Sequence, residues 1–157
     1  MKEMLNKKWV KIAATVLAII ILMYAMVYVD VMLRARTAYN EAEKYYYWHE
    51  NPEAKKQDLK TKYDNEIKAL DARLSKNKIK KEEYDREIEV SKFNYDREME
   101  ESSIKYAYVW YQTVVELFSP PETKWVKLSR QKLPQARELW KKELEGKGIK
   151  VEDYMLD

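Results

Sequence analysis

The sequence has no cysteine, one histidine, two glycines and four prolines in 157 residues. Without cysteine there are no disulfides, no thiolate nucleophile, no Cys-ligated zinc, no iron–sulfur cluster and no covalently attached haem of the c type. A single histidine removes nearly every multi-histidine metal site and the usual acid–base relay. So few glycines and prolines cannot punctuate a many-stranded sandwich or a doubly wound sheet, so long helices are favoured. Charge of one sign is also missing. Thirty Lys and Arg face 27 Asp and Glu, a net of +3, which gives no electrostatic footprint for nucleic acid.

What is abundant is equally lopsided: 36% of residues are charged and 13% aromatic. One stretch escapes the charges. Ile12 to Val29 reads IAATVLAIIILMYAMVYV, bounded by Lys11 and Asp30. As a helix it spans about 27 Å, close to the hydrocarbon thickness of a bilayer. Its Ile, Leu and Val residues sum to about −3 to −5 kcal/mol of insertion free energy, with no charge to oppose them. Trp9 on one side and Tyr24 and Tyr28 on the other suit the interfacial belts. The run is too long for a signal-peptide core and is followed by no small-residue cleavage site, so it predicts an uncleaved anchor over 12–32 behind a basic flank, 1–11. Lys2, Lys7, Lys8 and Lys11 outnumber Arg34, Arg36 and Lys44. That places the N-terminus in the cytoplasm and the C-terminal region outside it, in the periplasm if the source is bacterial.

Beyond Asp30 the helical pattern continues through Ala35, Ala38, Tyr39 and Ala42, so the anchor helix is extended over 33–50. Asn51-Pro52-Glu53 marks a boundary, with an Asn cap, Pro at the first helical position and an acid at the positive helix end. Leu59, Tyr63, Ile67, Leu70 and Leu74 then form one narrow seam of the coiled-coil kind to Ser75. Around Ser75-Lys76-Asn77-Lys78 the seam is interrupted, and Asn is suited to the left-handed conformation that closes a helix. Tyr84, Ile88, Tyr95 and Met99 resume it. The expectation is a helical hairpin over 52–118, rather than one continuous helix, whose aromatic end returns to the base of the anchor. Ser119-Pro120-Pro121 ends it. Two short helical pieces, 121–131 and 134–145, should follow on either side of Leu133-Pro134, then an extended tail from Ile149 to Asp157. The whole reads as an all-α chain with a single N-terminal transmembrane helix, a long hairpin and short C-terminal helices, 119–157, that dock on a partner.

No catalytic constellation emerges. Both glycines lie in Gly146-Lys147-Gly148, so there is no phosphate loop. His49 at the end of a helix reads as a cation against the helix C-terminus rather than a ligand. Glu82, Glu83, Glu87 and Glu89 sit among Lys and Arg on a solvated face. The Lys-rich patches at 76–81 and 124–132 read as solvated surface rather than phosphate contacts. No cofactor, metal or small-molecule substrate is expected. The distinctive signal is aromatic: Tyr45, Tyr46, Tyr47 and Trp48, then Tyr106, Tyr108, Trp110 and Tyr111, with Trp125 and Trp140 further on. These ten are the candidate partner-binding residues, because Tyr and Trp dominate interface cores, and packing within the chain is the competing use. The expected partners are other membrane protein subunits and the lipid bilayer. The function this favours is a non-catalytic, single-span accessory subunit of a larger membrane complex, an energy-converting one among the options. A self-associating coiled-coil envelope scaffold is the rival.

Overall fold

A computed structural model describes residues 2–152, with side chains from Lys7 onward. Among the described residues there are five helices and no strands: α1 Lys2–Glu50, α2 Pro52–Ser75, α3 Lys81–Glu100, α4 Ser103–Leu117 and α5 Lys124–Gly146. The first helix is unbroken for 49 residues. It is long and apolar enough to cross a membrane, and none of the described residues covers its apolar part. Every described side chain from Lys7 to Asp30 is exposed.

From Val31 onward the same helix becomes the strut of a small core. Ala35, Ala38, Tyr39 and Ala42 lie three and four residues apart, one stripe of the helix, and all are buried. Three alanines in that stripe leave room for another helix to approach closely. α4 fills it with Ile104, Ala107, Tyr108, Tyr111 and Val114, and α5 completes the cluster with Val126 and Ala136. The register is antiparallel between α1 and α4: Tyr106 stacks on Tyr45, and Tyr111 meets Tyr39. α5 runs back alongside α1, with Trp125 on Tyr39 and Lys132 on Glu43.

α5 corrects the expectation of two short pieces. It is one helix of 23 residues with Pro134 inside it. Proline there removes one hydrogen bond and crowds the preceding turn, a cost of about 3 kcal/mol. Pro134 is exposed, so the carbonyl it deprives faces water, while Val126, Ser129 and Ala136 keep one buried face on both sides of it. Burial of that face offsets the proline. The helix closes with Gly148 at φ +76 and the N–H of Ile149 on the Leu144 carbonyl, a Schellman turn that glycine adopts without strain. Of residues 119–157, expected to dock on a partner, the helical part packs on the chain's own α1 and α4, and the end of the extended tail, 153–157, lies outside the described residues.

α2 and α3 form an antiparallel hairpin that leaves this core. Its turn uses Asn77 in the left-handed conformation, φ 52, with the N–H of Lys78 on the Arg73 carbonyl and that of Asn77 on Leu74. Ile79 is buried against the turn. Leu59 and Leu70 are buried in the seam, but α3 has no buried residue, so the two helices meet along a thin contact. Tyr63 lies on Tyr95, and polar pairs flank them: Tyr84 donates to Asp71 at 2.6 Å, and Lys62 meets Glu98 at 2.7 Å. The expected Asn51 cap takes another form. Its side chain makes no bond to the start of α2, and its amide nitrogen donates to the Tyr47 carbonyl, closing α1 instead.

The hairpin is fastened to the core by Lys55. Its buried ammonium donates to the carbonyls of Met99 and Glu101, at 3.1 and 2.7 Å, at the negative end of α3. Burial pushes this lysine's pKa down, against the pull of Glu101, Glu143 and Glu98. Lys55→Ala leaves those carbonyls without their donor, and a loss of about 1–3 kcal/mol is expected. Thermal unfolding in detergent should show a lower midpoint for Lys55→Ala and an unchanged one for the exposed neighbour Lys56→Ala.

Candidate functional site

The aromatic residues separate by helix face. Consecutive residues on a helix point about 100° apart, so the run Tyr45–Trp48 addresses four directions. Tyr45 faces α4, where it stacks on Tyr106 at 5.2 Å, and it meets the edge of Trp48 at 5.3 Å. Tyr46 turns towards α5, and the Lys132 ammonium lies 5.3 Å from its ring centre. Tyr47 is exposed. Trp48 is buried and its indole N–H donates to Asp58 at 2.8 Å, fixing the bend between α1 and α2.

The second group is also committed internally. Tyr111 is fully buried and Tyr108 nearly so, the latter 5.3 Å from Trp140 of α5. Trp110 is half-buried beside the same cluster. Trp125 lies 5.3 Å from Tyr39, with the Arg36 guanidinium 5.8 Å and the Lys124 ammonium 5.4 Å from its ring. Of the ten candidate partner-binding residues, Trp48, Tyr108 and Tyr111 are buried within the chain's own core. Their rings satisfy the chain's own apolar faces, because α4 and α5 fold back onto α1 rather than standing free. Tyr45, Tyr46, Tyr106, Trp110, Trp125 and Trp140 keep partial exposure.

The centre of this packing is a carboxylate. Glu43 of α1 accepts hydrogen bonds from the Tyr111 hydroxyl and, at 2.7 Å, from Lys132 of α5. It therefore ties all three core helices together. Burial works against its ionisation, but the bonds from Lys132, Tyr111 and Tyr39 outweigh it and hold the carboxyl below its ordinary pKa. The phenols respond in the opposite sense. Burial, and then the Glu43 carboxylate, push Tyr39 up to about 12 and Tyr111 up further still. A smaller junction lies at the other end of α4. The Ser102 hydroxyl accepts from the Lys105 N–H as the helix cap and donates to Glu143 of α5 at 2.7 Å. Burial again opposes ionisation of Glu143, and Lys147 and Ser102 overcome it.

Where α1, α2, α3 and α4 converge there is a cleft of about 570 Å³. Tyr45, Trp48 and Tyr106 form its aromatic wall, and charged pairs rim it, Lys62 with Glu98 and Arg97 with Glu101. Lys44, which bonds Glu41, lies over the faces of Tyr45 and Trp48. The aromatic faces thus already hold a cation from the chain itself. Among the described residues no group of three His, Asp or Glu side chains is placed to hold a metal ion. No family model matches the chain, and no curated protein or solved structure matches it.

Glu43 was not singled out by the sequence reading, although a signal was present. It falls within the apolar stripe 35, 38, 39, 42 and 46, one charge on a face otherwise built from Ala and Tyr. The folded carboxyl has a lowered pKa, so its stabilising contribution is present above the unfolded value, near 4.3, and is lost as pH falls through the folded value. Tyr39 acts at the other limit. Its contribution is full below pH about 10 and fades as pH rises towards 12. Glu43→Gln removes the acid limb and leaves Lys132 without its counter-ion, so a loss of about 1–3 kcal/mol near neutral pH is expected. Unfolding midpoints measured across pH for the two proteins should converge at the acid end.

Proposed function

We propose that this chain is a single-span membrane protein with a non-catalytic, structural role, an accessory subunit that braces a larger membrane complex. The observation that carries the reading is α1. Its apolar stretch is bare on every side and continues without a break into the core of the helical domain. An uncovered run of this length is stable in lipid, and the same helix fixes the domain to it. The N-terminus lies on the cytoplasmic side, following the excess of Lys before the span, and the domain lies on the opposite face.

The non-catalytic part of the reading is supported by the way charged groups are engaged. Glu43, Glu143 and Lys55 each hold helices together, and Lys44 lies over the ring faces of the aromatic cleft. The surfaces left for a partner include the lipid-facing side of α1 and apolar side chains exposed on the domain, Tyr47, Val90 and Phe93 among them. Self-association through the seam Leu59–Leu74 is the weaker alternative. Leu59 and Leu70 are buried within the hairpin, so part of that seam is already used against α3.

The test is mild-detergent solubilisation of native membranes carrying a tag after Asp157. Defined partners should be recovered in fixed proportion, and their yield should fall in the double variant Tyr47→Glu, Phe93→Glu, whose helicity should be unchanged because both positions are exposed. Recovery of the chain alone, as one discrete oligomer, would establish the scaffold reading in its place.

A further inference from the structure

We propose that the base of the helical domain, formed by the α4–α5 turn and the adjoining part of α1, is a foot that binds anionic phospholipid headgroups. The proposal rests on the reading of the apolar run in α1 as a membrane span.

The position of the foot follows from helix register. The apolar run ends at Val29, and burial begins two residues later: Val31 and Met32 are half-buried and Ala35 is fully buried. The domain therefore starts within one helical turn of the hydrocarbon. α4 descends towards it, with Tyr111 level with Tyr39. Tyr39 is ten residues from Val29, or about 15 Å, and Leu117 is six residues below Tyr111, or about 9 Å. With α1 along the membrane normal, Leu117 stands about 6 Å above the end of the apolar run. The headgroup layer on each side of a bilayer is about 5–7 Å deep. Leu117 falls within it.

The side chains at this level suit that layer. Leu117 is 71% exposed, more than any other large apolar residue described outside the apolar run, and Leu33, at a similar height on α1, is exposed as well. In water such side chains are an unexplained cost, whereas among lipid headgroups they are buried against the upper acyl chains. The charges on the domain just above it are mainly basic: Arg34, Arg36, Lys124, Lys127 and Arg130 face Asp30, Glu116 and Glu122. Because Trp125 is level with Tyr39, Arg36 and Lys124 stand about 10 and 13 Å above the end of the run, within a Debye length of the headgroup layer, and Lys127 and Arg130 stand higher. Two of the acids are neutralised locally, Asp30 by Arg34 at 2.8 Å and Glu122 by Arg130 at 2.7 Å, and Glu116 accepts from Gln112. Arg36 and Lys124 both lie over the Trp125 ring, 5.8 and 5.4 Å from its centre. A phosphodiester without a compensating ammonium complements this set, so anionic lipid is preferred to zwitterionic lipid.

The absence of cysteine allows a single label to be placed anywhere in the full chain. Nitroxides at Leu117→Cys, Ile20→Cys and Phe93→Cys would be compared in vesicles of phosphatidylcholine, with and without phosphatidylglycerol, using oxygen and a water-soluble nickel chelate as relaxants. The expected result places Ile20 in the hydrocarbon, Phe93 in water and Leu117 between them. The Leu117 label should become less mobile when phosphatidylglycerol is added, and Arg36→Gln with Lys124→Gln should abolish that response. If the double variant misfolds, high salt on the unmodified charges serves the same purpose, because it screens headgroup attraction. A Leu117 label as open to the chelate as that at Phe93, with Ile20 still in hydrocarbon, overturns the foot and leaves the anchor standing. A Leu117 label at headgroup depth that ignores phosphatidylglycerol overturns the anionic preference. An Ile20 label in water overturns the anchor, and the foot with it.

Discussion

The close approach of α4 to the alanine stripe of α1 is the contact on which the rest of the structure depends. Ala35, Ala38 and Ala42 are too small to hold two helices apart, so the rings of Tyr39, Tyr108 and Tyr111 are brought into the space between them. That approach places Tyr111 within reach of Glu43, and Glu43 then recruits Lys132 from α5. A domain with about 120 residues beyond the apolar run and a slender hairpin buries little apolar surface for its size. The polar junction at Glu43 and the capping of α3 by Lys55 supply definition that a larger core would otherwise provide. Neither is replaceable by a neutral group of the same shape without leaving the partners buried and unmatched.

The two halves of the helical domain use different physics. In the bundle of α1, α4 and α5, aromatic area is the main stabilising term, and the ring pairs sit at tilted or stacked geometries with centroids 5.2 to 6.0 Å apart. In the hairpin of α2 and α3, apolar contact is limited to a seam, and surface ion pairs such as Arg73 with Glu87 at 3.3 Å contribute only a few tenths of a kcal/mol each. The hairpin should therefore open locally at lower free energy than the bundle.

Much of this architecture was legible in the residues. The extent of α1 and α2, the closure at Asn77 and the closing glycines follow from local chemistry, because caps, proline and left-handed positions act within a few residues of themselves. What was not legible was non-local. Leu133-Pro134 carries a local instruction to stop, and tertiary burial of Val126, Ser129 and Ala136 overrode it. Consecutive aromatics at 45–48 and 106–111 specify rings but not neighbours. The direction in which each points depends on where α4 and α5 lie, and no pattern within one helix encodes that. Glu43 could be read only by asking why one carboxylate stands in an alanine and tyrosine stripe.

The continuity of α1 through Asp30 has a mechanical consequence. No glycine or proline lies between the apolar run and Asn51, so the helix has no hinge where that run meets the domain. The 20 residues from Val31 to Glu50 form an arm of about 30 Å, and a 10° change in anchor tilt carries its far end sideways by about 5 Å. Rotation of the anchor about its own axis is passed on in the same way, turning the whole domain with it. With the apolar run in lipid, as proposed, the domain's attitude is set inside the bilayer, by lipid thickness and by whatever packs on the span, as a mast is set by its footing.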